Sequence, residues 1–180
     1  MNREETKAIL KVLRVSYPNS FKNLSDDETY MYLDLWSEAF KDDPAEIVVQ
    51  AVKSIIYTDT REFAPNIATV RKHIYKLMHK DEINEVQAWD LVAKALRHGI
   101  SAPKTEFEKL PELVQKAVGN PRQLTQWAML DDFGRNQASR DFMRTYKTMQ
   151  EREEENWCYP KGFLQLAEST IKMIGSESDG

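Results

Sequence analysis

Three histidines and one cysteine supply the chain's soft ligands and strong nucleophiles: His73, His79, His98 and Cys158. A shared metal needs two histidines on one helix face, at i and i+4. His73 and His79 stand six apart, on different faces of the helix that carries them, so the expectation is solvated histidines and no metal site. Cys158 sits in ENWCYPKG with no histidine near it in sequence, and a free cysteine without an activating base reads as a small buried hydrophobe. Acid/base work could draw on Asp26–Asp27, Asp42–Asp43 or Asp131–Asp132. Adjacent helical residues point in different directions, and carboxylates in such places serve as caps at helix N-termini. The six glycines, at 99, 119, 134, 162, 175 and 180, never approach the spacing of a phosphate-cradling loop. No catalytic residue, metal ligand or cofactor is therefore expected, and the chain reads as a protein that performs no chemistry.

The elements that must position these residues are helical. Of 180 residues, 41% are hydrophobic, 10% aromatic and 30% charged, with six glycines and seven prolines. β-Branched runs are few, which excludes a sheet-based fold. The net charge of −4 argues against a phosphate-driven DNA binder, which carries a basic excess. The single cysteine allows no internal disulfide, which suits a reducing cytoplasm. MNREETKAIL has neither the apolar run nor the cleavage site of a secretory signal, and no window is apolar enough to span a membrane. The host-cell cytoplasm is the expected location.

Apolar spacing predicts a helix over 3–16, ended by Pro18. In NLSDDETYMYLDLWSEAFKDDP, Ser25 or Asp26 reads as an N-cap, and Ser25 with Glu28 forms a capping box. Leu33, Trp36 and Phe40 make the inward stripe of that helix. Asp43–Pro44 closes it and opens another, with proline at its first position, lined by Ile47, Val48, Ala51, Val52 and Ile55. A fourth helix runs from Asn66 to His79. It turns Ile67, Val70, Ile74 and Leu77 inward and Arg71, Lys72 and Lys76 outward. Beyond a polar stretch at 80–86, VQAWDLVAKALRHG is a helix with Gly99 as its C′ residue. A loop follows, then helices from Pro111 to Gly119 and from Pro121, and a long one over about 137–155. YPKGFLQLAESTIKMI is amphipathic, and the tail GSESDG should be disordered. The whole is all-α, with two small helical modules: an N-terminal four-helix bundle over 1–80 and a second module over 81–156. A short amphipathic segment with a flexible tail completes it at 157–180.

The run LDLWSEAFKDDPAEIVVQAVKSIIYTDTREFAPNIATVRKHI, residues 33 to 74, resembles the N-terminal domain of bacteriophage replicative-helicase loader/inhibitor proteins. Trp36 and Phe40 four apart, the Asp43–Pro44 step, and Phe63, Pro65 and Ile67 at the entry to the following helix carry the likeness. AWDLVAKALRHGI, LPELVQKAVGNPRQLTQWA and SRDFMRTYKTMQERE look like segments of phage replication accessory proteins. The resemblance implies a DNA replication protein that binds the hexameric replicative helicase in its ATP-bound form. Such a protein restrains the helicase and delivers it to an origin complex, where an origin-binding protein is a further partner.

Contact residues follow from surface chemistry. Arg140, Arg144 and Lys147 share a face of the last long helix beside Phe142 and Tyr146, and arginine and aromatic side chains are frequent interface anchors. All four tryptophans, at 36, 89, 127 and 157, read as core, with Trp127 and Trp157 at segment ends where an anchor is conceivable. The alternative is a DNA-binding initiator or regulator. It would use the basic face of Lys72, Lys76 and Lys80, edged by Arg71 and His73, against phosphates. The turn before that helix is long and carries proline, unlike that of a recognition helix.

Overall fold

The computed structural model describes residues 1–177, and among them every regular element is an α-helix, eleven in all. The all-α expectation holds. The chain divides into two compact units: Met1–Lys80 joined by the segment from Glu154 onward, and Asp81–Glu153.

The first unit opens with α1 (Arg3–Ser16). Its N-cap Asn2 accepts from the Glu5 amide while the Glu5 carboxylate accepts from the Asn2 amide, a capping box that satisfies two otherwise unpaired donors. Pro18 ends α1 and begins the four-residue α2 (Pro18–Phe21), because its missing N–H is no loss in a first turn. α3 (Asp26–Ala39) starts on the expected Ser25–Glu28 box, and α4 (Ala45–Thr58) follows. Pro44 is the N-cap of α4, one residue before the first helical position assigned to it: its ψ of 136° is extended. α5 (Ile67–Met78) is capped by the Asn66 side chain. Residues 1–80 thus hold five helices, the four expected and the short α2. Their core is Leu13, Trp36, Phe40, Val48, Val52, Ile55, Val70 and Ile74, all at most 1% exposed. Burying such side chains is worth about 1.5–3 kcal/mol each before chain entropy is charged.

The second unit begins with α6 (Glu85–Leu96), boxed by Asn84 and Gln87. Gly99 does not act as a left-handed C′ residue. The positive-φ glycines among the described residues are Gly119 and Gly162. Gly99 serves close packing: a Cβ there would lie 3.0 Å from the Leu124 carbonyl oxygen and 3.3 Å from Ala128 Cβ. The stretch read as a loop contains α7 (Pro103–Glu108), a short helix with too few apolar residues to register as periodic. α8 (Glu112–Val118) ends at Gly119, with φ of +90°, and α9 (Pro121–Ala128) has proline in its first turn. α10 (Asp132–Cys158) is longer at both ends than its apolar stripe indicated and belongs to this unit as far as Glu153. Ala88, Val92, Val114, Leu124 and Phe142 form the core, with Trp89, Trp127 and Phe142 meeting at angles of 49–85° between rings.

α11 (Phe163–Glu177) closes the described chain. The first three residues of the GSESDG tail, expected to be disordered, continue this helix, and the last three lie outside the described residues.

Candidate functional site

The most elaborate polar site of the first unit centres on Arg71. On a helix advancing about 100° per residue, Arg71 lies on the shoulder of the face that carries Val70 and Ile74. Lys72 lies another step round. Arg71 is accordingly 7% exposed, where the sequence reading had turned it outward. Its Nη1 donates to the Ala39 carbonyl at 2.6 Å and to Asp43 Oδ2 at 3.0 Å, and Nη2 donates to the Trp157 carbonyl at 3.4 Å. The guanidinium carbon stands 5.7 Å from the Phe40 ring centre and 5.3 Å from that of Trp157, within cation–π range. Nε is buried without a hydrogen-bond partner.

Trp157, in the last turn of α10, is the other half of this site. Tyr75 and His79 stack at 4.0 Å, and Trp157 meets both edge-on, at 5.6 and 6.1 Å. Trp157 is therefore part of the first unit's core. Neighbouring Cys158 is half-buried. Burial, reinforced by Glu154, raises its thiol pKa above the ordinary value, the opposite of what a nucleophile needs.

Past this seat the chain turns at Gly162, with φ of +80°, the Tyr159 ring stacks on Phe163 at 5.1 Å, and α11 begins. Phe163, Leu166, Ile171 and Ile174 share roughly half the circumference of α11, and Gln165, Glu168 and Lys172 take the other side. The apolar members are 49%, 66%, 69% and 64% exposed. α11 is thus an amphipathic helix whose apolar face is turned to solvent, the arrangement of a segment that docks on something else.

The residues singled out in the sequence are distributed as follows. Arg140, Arg144 and Lys147 are exposed along α10, and Arg144 pairs with Asp141 at 2.9 Å. Phe142 and Tyr146 do not flank them. Both are buried, at 2% and 3% exposure, on the opposite side of the helix, where the Tyr146 hydroxyl donates to the Ile83 carbonyl at 3.1 Å. An interface that includes these two aromatics as anchors is corrected on this point: their area is already spent in the second unit's core. Lys72, Lys76 and Lys80 are exposed, and Arg71 is not available to their face. His73 and His79 each direct a ring nitrogen to the carbonyl four residues back, at 3.2 and 2.9 Å. Of the acidic pairs, Asp26 and Asp27 lie in the first turn of α3, Asp131 accepts from the Gly134 amide at the start of α10, and Asp43 is the ion-pair partner of Arg71. The shoulder position of Arg71 was readable from helical angles. The exposure of α11 was not, because amphipathicity alone does not say whether a partner face exists.

Residues 1–71 match the family model for the N-terminal domain of the phage helicase loader/inhibitor family. This is the family whose likeness Trp36, Phe40 and Asp43–Pro44 carry. The N-terminal part of the chain therefore has the domain of a phage replication protein associated with a helicase. No curated protein and no solved structure matches the chain. Among the described residues, no helix is long and apolar enough to cross a membrane.

Proposed function

We propose that this protein binds the hexameric replicative helicase in its ATP-bound form, restrains it, and delivers it to an origin complex in the host cytoplasm, without catalysing a reaction itself. The carrying observation is the exposed apolar face of α11 in a chain that begins with a loader/inhibitor-type domain. Phe163, Leu166, Ile171 and Ile174 are available to a partner, and seating them would release the hydrophobic free energy that solvent exposure withholds. Trp157, held by Arg71, fixes where α11 starts. Handover requires that affinity differ between helicase states, since only a differential affinity can shift an equilibrium. An origin-binding protein is the natural recipient.

The test is co-sedimentation of the full chain with purified hexameric helicase, with and without a non-hydrolysable ATP analogue. Complex formation is expected, stronger with the analogue, and lost on Leu166→Asp with Ile171→Asp. Arg140→Glu with Arg144→Glu separates the two surfaces: if it abolishes binding while the α11 change does not, the cationic row of α10 is the contact and the role given to α11 is wrong. A second reading, DNA binding through Lys72, Lys76 and Lys80, has their shared exposure in its favour. It predicts duplex affinity that falls steeply with salt and disappears when the three become glutamate.

A further inference from the structure

The first unit carries a second surface that neither the Arg71 site nor α11 uses. Lys7, Leu10, Lys11 and Arg14 fall at i, i+3, i+4 and i+7 on α1, and Asp26, Thr29, Tyr30 and Leu33 fall at the same intervals on α3. The two rows face one another across a groove of about 460 Å³, within the size range of recognition pockets. Its floor is apolar: Leu10, Phe21, Tyr32 and the buried Leu33, with Phe21 and Tyr32 edge-to-face at 5.7 Å. Leu24 and Tyr30 line it and remain 36% and 62% exposed.

The charges are one-sided. Three cations, Lys7, Lys11 and Arg14, stand along the α1 wall, against the single acid Asp26. Lys7 pairs with Glu4 at 2.8 Å. Lys11 and Arg14 are exposed and make no ion pair among the described residues. In a chain of net charge −4, a groove with two unpaired cations over an aromatic and aliphatic floor is complementary to an apolar segment flanked by acids.

We propose that the α1–α3 groove is a docking site for an acidic amphipathic helix of a partner protein. Two to three turns fit the stretch from Lys7 to Arg14, about 10 Å at 1.5 Å per residue. The apolar side of the ligand fills the space over Leu10, Leu24 and Phe21, Tyr30 closes one edge, and carboxylates of the ligand meet Lys11 and Arg14. This is helix-in-groove recognition, in which apolar anchors supply affinity and flanking charges fix orientation. Nucleic acid is the poorer occupant, since phosphate binding draws on many cations and gains nothing from an apolar floor. The proposal does not depend on helicase binding by α11, and the two can fail separately.

The experiment uses the full chain, isotope-labelled, observed by amide chemical shifts. Three probes are titrated: a synthetic three-turn helix with leucines on one face and glutamates beside them, the same peptide with lysine for glutamate, and duplex DNA. The acidic peptide should shift the amides of Lys11, Arg14, Leu24 and Tyr30 to saturation, and the other two probes should not. Lys11→Glu with Arg14→Glu, both on exposed positions, should weaken the acidic peptide by at least about tenfold. Tyr30→Ala should weaken it without altering charge. Equal binding of the lysine peptide, shifts centred elsewhere, an unaffected double variant, displacement by duplex DNA, or shifts that follow self-association on concentration would each overturn the proposal.

Discussion

Arg71 and Trp157 meet across 86 residues of sequence, with the guanidinium carbon 5.3 Å from the indole centre. The contact ties the last turn of α10 to α5, so the amphipathic α11 starts from a fixed place in the first unit. Its energetics rest on a nearly dry ion pair, Arg71–Asp43, whose side chains are 8% and 14% exposed. Such a pair contributes little net stability when whole and costs much when halved.

Arg71→Ala should therefore lower the stability of the first unit by about 3–5 kcal/mol, leaving Asp43 and the Ala39 carbonyl without their donor. Urea unfolding measures the loss, and Trp157 emission should move to the red before global unfolding. Arg71→Lys should recover only part of it, because an ammonium lacks the planar fork that reaches Ala39, Asp43 and Trp157 together. An unchanged urea midpoint in Arg71→Ala would place the site at the surface in solution.

The two glycines of the second unit should respond for different reasons. Gly99→Ala drives a methyl against the Leu124 carbonyl oxygen, where backbone gives way only with difficulty, and is expected to cost about 1–3 kcal/mol through overpacking. Gly119→Ala meets no atom within 4 Å, and its cost of about 1–2 kcal/mol comes from holding an alanine at φ of +90°. Thermal unfolding of both variants distinguishes the two. Gly119→Asn should recover part of the loss at 119, because asparagine tolerates left-handed backbone, whereas Gly99→Asn should be worse than Gly99→Ala.

Alanine scanning of α10 should separate core from surface. Phe142→Ala should cost about 3–5 kcal/mol, and Tyr146→Phe about 1 kcal/mol through the lost bond to Ile83. Arg140→Ala and Arg144→Ala should change stability by less than about 0.5 kcal/mol. Loss of partner binding in Phe142→Ala thus reports unfolding unless the circular dichroism of the variant is native.

The α3 cap sets a pH dependence. The Ser25 amide and hydroxyl donate to Glu28 at 2.8 and 2.9 Å, and these bonds, the backbone one first, hold the Glu28 carboxyl below its ordinary 4.5. Because the folded value is the lower one, the stabilisation is fully present above the unfolded pKa of about 4.5 and is lost as pH falls through the folded value. Glu28→Gln should flatten the decline of stability below pH 4.5, measured by denaturant unfolding across a pH series. An identical slope in both proteins would exclude the cap as a contributor.

Local chemistry alone determined much of this protein. Capping residues, proline positions and the 3.6-residue apolar period specified α1, α3, α4 and α5 nearly to their ends, since each depends on neighbours a few residues away. The left-handed turn at Gly119 was legible for the same reason, and the likeness carried by Trp36, Phe40 and Asp43–Pro44 pointed to the family that matches residues 1–71. What only the tertiary structure decided were questions of partnership. Arg71 is drawn inward by Asp43 and by Trp157, which lie far from it in sequence. Gly99 exists for the close approach of α9, and neither helix announces that approach alone. Phe142 and Tyr146 are spent on their own unit's core, while Phe163 and Ile171 are left in solvent, yet all four belong to helices with apolar stripes. Periodicity says that a face must be covered. Only the packing of distant elements determines which faces are covered within the chain and which remain for another molecule.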